Sequence, residues 1–94
     1  MPYVAHPSAQ ARLQALFQLQ DAPCTPALGE ALRARVAEDA EVTNRSYAAQ
    51  KLLACLGVVS APENAYAEQR ELMSRFRSER RAEREAALAG LRSA

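Results

Sequence analysis

The stretch from Pro26 to Gly57, PALGEALRARVAEDAEVTNRSYAAQKLLACLG, limits most what this chain can fold into. Leu28, Leu32 and Val36 recur at the helical period, with Arg33, Arg35, Glu38 and Asp39 on the flanks. Val42, Thr43 and Asn44 form helices poorly, so the first helix stops before them. Tyr47, Ala48, Leu52, Leu53 and Leu56 then set a second stripe, and Gly57 suits a helix end. A helix, a short polar break and another helix must therefore share one apolar seam. Thr25 as cap with Pro26 in the first turn marks the start. Thr43 is the expected cap of the second helix.

Upstream, Pro2 and Pro7 argue for a short arm over residues 1–7. Ser8 caps an expected helix from Ala9 to about Gln20, with Leu13, Leu16 and Phe17 on its apolar face. Leu13, Ala15, Phe17 and Leu19 also alternate as in a strand, and a strand before two helices is the ribbon-helix-helix plan. Helix formers dominate the segment and Leu16 breaks the alternation, which favours helix. Downstream, Ser60 and Glu63 have the spacing of a capping box. One long helix is expected over 61–89, apolar at Tyr66, Leu72, Met73 and Phe76. Its outer half is an Arg/Glu run without an apolar face. The fold class is all-α: a trihelical bundle over 8–57 and a long charged helix over 61–92, in one domain.

Hydrophobic residues make up 49% of the 94 residues, but many are Ala, so the core is modest. The formal net charge of +1 neither demands nor excludes nucleic acid. Arg70, Arg75, Arg77, Arg80, Arg81 and Arg84 form a local basic excess, diluted by Glu79, Glu83 and Glu85. Cys24 and Cys55 are too few for a disulfide scaffold and read as reduced thiols in a cytoplasmic protein. No secretory signal opens the sequence, and no apolar run is long enough to span a membrane. His6 with the two cysteines lacks metal-site spacing. Glu38, Asp39 and Glu41 cluster beside the break and read as solvated. No nucleophile turn or cofactor motif is present, so neither an enzyme, a cofactor nor a small-molecule substrate is expected.

The segment Val36–Tyr47 resembles a helix-turn-helix, with small Ala37 and Ala40 allowing close crossing and Val42 plugging the turn. Asn44-Arg45, a helix, then Leu56-Gly57-Val58-Val59-Ser60 resembles the recognition-helix end of winged-helix domains. The DNA-reading γ domain of bacterial DNA translocases is among them. That resemblance implies a small DNA-binding regulator of transcription whose recognition helix, over 44–56, enters the major groove. By position, Thr43, Asn44, Arg45 and Ser46 would face the duplex, with Gln50 and Lys51 close by. Two departures stand out: Glu41 replaces the usual turn Gly, and helical sequence follows Val59 in place of a wing.

The second expectation is a protein-interaction module, of the kind phages and plasmids use as inhibitors or adaptors on a larger host machine. Its docking residues would be Tyr66, Leu72, Met73, Phe76, Arg77, Arg80, Arg81 and Arg84 on the long helix. The apolar half of that helix, 61–76, is also the expected seam of a homodimer.

Overall fold

The computed structural model describes residues 6–56 and 63–91, and of residues 63–69 only the backbone. The described residues form five α-helices and no strand: α1 Ala9–Leu19, α2 Pro26–Glu38, α3 Val42–Cys55, α4 Glu63–Phe76 and α5 Arg81–Ala89. The all-α class holds.

Local chemistry starts α1 and α2 as expected. Ser8 Oγ accepts the Ala11 N–H at 3.5 Å, and Thr25 Oγ1 accepts the Leu28 N–H at 3.1 Å, with Pro26 in the first turn. Leu16, which spoils the strand alternation, is fully buried. Phe17 is not part of the core; it is 48% exposed and its ring meets Tyr47 edge-on, centroids 4.8 Å apart. Thr43 does not cap α3. The helix already begins at Val42, and Glu41 in the cap position makes no side-chain cap bond. The Glu41 N–H is instead held by Asp39 Oδ1 at 2.9 Å, which shortens the turn to three residues, Asp39 to Glu41. The expected Ser60 cap and Gly57 terminus lie outside the described residues.

The single long helix over 61–89 is two helices. The Arg/Glu run has no apolar face to bury, so burial does not hold a straight helix there. Ser78 turns the chain: its Oγ accepts the Arg80 N–H at 3.1 Å and donates to Glu83 at 2.8 Å, bonds that compete with the helical ladder. Bending at Arg77–Arg80 returns α5 to the bundle, where Ala87 and Leu88 are buried. A projecting helix would leave those two in water.

α3 is the axis of the fold. It packs against α1, α2 and α4, while α5 closes against α2 and α4. Leu28, Leu32 and Val36 of α2 meet Ala48, Ala49, Leu52 and Leu53 of α3, with Leu16, Met73, Phe76 and Leu88 completing the core. The two alanines of α3 allow the helices to approach closely.

Cys24 and Cys55 are joined in a disulfide, with Cα atoms 5.5 Å apart. The expectation of two reduced thiols is corrected, and with it one ground for expecting a cytoplasmic setting. Among the described residues, no helix is long and apolar enough to cross a membrane.

Candidate functional site

The turn between α2 and α3 is built around one carboxylate. The Asp39 side chain is fully buried and accepts Arg12 Nε at 2.7 Å, Arg12 Nη2 at 3.1 Å and Asn44 Nδ2 at 3.2 Å. Arg35 lies 3.7 Å away. Burial alone pushes an acid upward, but the bonds from Arg12, the Glu41 N–H and Asn44 outweigh it. The Asp39 carboxyl therefore lies below the usual range, and the same pair raises the Arg12 guanidinium above its own. Asp39 was grouped in the sequence with solvated acids; it is instead the anchor of the turn.

Beside it runs Arg45, only 1% exposed. Its Nη1 donates to the Asp39 carbonyl at 2.8 Å, its Nε to Phe76 O at 3.2 Å, and its Nη2 to Arg77 O and Glu79 Oε1, both at 3.0 Å. One guanidinium thus caps the C-terminal ends of both α2 and α4. The same device recurs. Lys51 Nζ donates to Gln20 O and Ala22 O, both at 2.8 Å, past the end of α1. Arg33 donates to Leu88 O near the end of α5 at 3.1 Å. Arg84 donates to Ala37 O and Ser78 O, both at 2.7 Å. A helix ends in unpaired carbonyls and the negative end of its dipole, so an inward cation from a neighbouring helix satisfies both. Burial, with the nearby charge of Arg45 adding to it, lowers the Arg84 pKa.

This geometry separates the residues expected to read DNA. Asn44, Arg45 and Lys51 are buried and engaged inside the bundle, so they do not line an outer face as expected. Thr43 and Gln50 are exposed, and Ser46 is half-buried, donating to Val42 O at 2.9 Å and accepting Arg77 Nε at 3.0 Å. The expected docking set divides too. Met73 and Phe76 belong to the chain's own core, Arg84 is buried, and Leu72 is half-buried. Arg77, Arg80 and Arg81 are exposed; the Tyr66 side chain lies outside the described residues. A dimer seam along Met73 and Phe76 would have to open the monomer core.

What remains outward on α3 is a neutral face: Val42, Thr43, Ser46, Tyr47 and Gln50, edged by Phe17 from α1 and Arg77 after α4. Phe17 and Val42 are the large apolar side chains left exposed among the described residues. Sequence periodicity hid this pair, because it assigned Phe17 to the core and Val42 to a turn plug. Among the described residues, no three His, Cys, Asp or Glu side chains gather as a metal site would require. No protein family, curated protein or solved structure matches this chain.

Proposed function

We propose that this protein is a non-catalytic docking module that binds another protein through the outward face of α3 and Phe17. The observation that carries the reading is the inward placement of Asn44, Arg45 and Lys51. Duplex binding draws its affinity from cations laid against phosphates, and these cations are spent on backbone carbonyls. Among the described residues, the interior holds three buried cations, Arg45, Lys51 and Arg84, against one carboxylate, Asp39. The surface is correspondingly less basic than the formal charge of +1 suggests.

The face left behind suits a protein partner. It offers aromatic and apolar side chains surrounded by hydroxyl and amide groups, with one Arg at its edge. The fitting partner presents apolar side chains to Phe17 and Val42 and a carboxylate to Arg77.

Two experiments test this. Fluorescence anisotropy of a labelled duplex at about 50 and about 200 mM salt should show no salt-dependent binding; a steep loss across that range would restore the DNA-binding reading. A photo-crosslinking residue placed at Phe17 should form a discrete adduct that disappears in an Arg77→Glu background. The same probe at exposed Glu30 of α2 should form none. Equal adducts from both positions would remove the docking face.

A further inference from the structure

The Cys24–Cys55 bond is a covalent fastening beside the inward cations, with Lys51 holding the backbone just before Cys24 and Arg33 lining the same groove. It joins the linker between α1 and α2 to the last residue of α3, across a sequence separation of 31. Cys24 is exposed and Cys55 half-buried. Both line an open groove of about 360 Å³, whose walls include Pro26, Gly29, Leu52 and Leu56. The bond is therefore open to an attacking thiol.

The ends of the remaining helices do not depend on it. Arg45, Arg84 and Arg33 hold α2, α4 and α5, and Lys51 holds Gln20 and Ala22 in the same linker. The buried core surrounds Leu32, Val36 and Phe76, each of which is fully buried. Removing the bond thus frees one strap over a bundle that remains fastened. A bond inside the core would open the bundle when cut; a bond at a groove edge need not.

We propose that the Cys24–Cys55 disulfide is a reducible latch on the α1–α2 linker, opened by thiol–disulfide exchange with a dithiol. The thiolate of the dithiol attacks the Sγ of Cys24, the more exposed of the two residues. The Cys24–Cys55 bond breaks, and Cys55 leaves as a thiolate that takes up a proton. The second thiol of the reductant, deprotonated, attacks the mixed disulfide, and Cys24 leaves and is protonated in turn. The dithiol is oxidised by two electrons and the protein gains two thiols. Opening releases residues 23–25 over the groove and uncovers Leu52 and Leu56, while Lys51 keeps Gln20 and Ala22 in place and the turn held by Asp39 stays closed. Exposed, reducible disulfides of this kind serve as sensors of the surrounding thiol pool.

The test uses the intact protein and dithiothreitol under native conditions. Thiol titration should show the bond formed beforehand and fully reduced by millimolar dithiothreitol, with the far-UV circular dichroism retained at 25 °C. Amide hydrogen exchange should then accelerate at Cys24, Thr25 and residues 52–56 and remain unchanged at 36–45. The double variant Cys24→Ser, Cys55→Ser should reproduce that pattern without reductant. A bond reducible only in denaturant would overturn the proposal. So would loss of the helical signal on reduction, or exchange that does not change in the linker.

Discussion

Replacing Asp39 with Asn tests the architecture at its most connected side chain. The change keeps size and shape but removes the charge. It also places an NH2 group among donors, since Arg12, Asn44 and the Glu41 N–H all point at this carboxylate. Removing one partner of a buried ion pair costs about 3–5 kcal/mol, because the other charge stays desolvated. The Arg12 side chain retains 13% exposure, so water relieves part of its loss and the low end applies. About 3 kcal/mol corresponds to a fall in Tm on the order of 12–24 °C for a domain of this size. Urea unfolding followed by circular dichroism measures the free energy directly. The pH dependence adds a second arm. The folded pKa of Asp39 is depressed, so its contribution is complete above the ordinary carboxyl pKa and is lost as pH falls through the folded value. The gap between wild type and Asp39→Asn should therefore be constant near neutrality and narrow below about pH 4. A loss under about 1 kcal/mol, or a gap that ignores acidification, would refute the role given to this carboxylate.

Arg45→Met should destabilise the fold by more than about 2 kcal/mol, since it strands carbonyls at two helix ends, whereas Arg80→Met at an exposed site should stay within about 0.5 kcal/mol in the same urea titration. Gly29→Ala should stabilise by about 0.5–1 kcal/mol by thermal melting, because a Cβ there meets nothing within 4 Å and Ala favours the helix. Leu88→Ala should cost about 2–5 kcal/mol if α5 is folded back as described, and almost nothing if the helix projects into solvent; differential scanning calorimetry distinguishes the two.

Features legible in the sequence depended on neighbours along the chain. Ser8 and Thr25 cap helices that begin one residue later, and the Leu28, Leu32, Val36 stripe needs only the helical period to be recognised. Features that were not legible depended on distant partners. Arg45 falls on the apolar face in a helical projection, at i, i+3, i+4 and i+7 with Ala48, Ala49 and Leu52, and Lys51 borders it. Their acceptors, however, are backbone carbonyls 31 residues away, which the projection does not show. A carbonyl has no sequence signature, so the pattern that puts Arg45 and Arg84 in line with apolar neighbours does not say what would satisfy their charge there. Asp39 was hidden in the same way by Arg12, 27 residues upstream. The division of the last helix was half visible: the apolar face fails after Arg77, and Ser78 supplied the one local signal that the chain turns there. Cys24 and Cys55 carried no pairing information, since two cysteines at arbitrary spacing fit a bond or a pair of thiols equally well.

The exchange of cations between helices has a consequence for how the bundle comes apart. α3 supplies the charge that finishes α1, α2 and α4, α2 supplies the one that finishes α5, and α5 returns another to α2. No helix in that circuit can detach without breaking the bonds between a cation and a helix-end carbonyl, which leaves one partner of each pair buried and unsatisfied in the part that stays folded. Melting should accordingly proceed in a single concerted step, with enthalpies from calorimetry and from the transition curve in agreement. A bundle joined only by its apolar seam would have no such bar to shedding its outermost helix first.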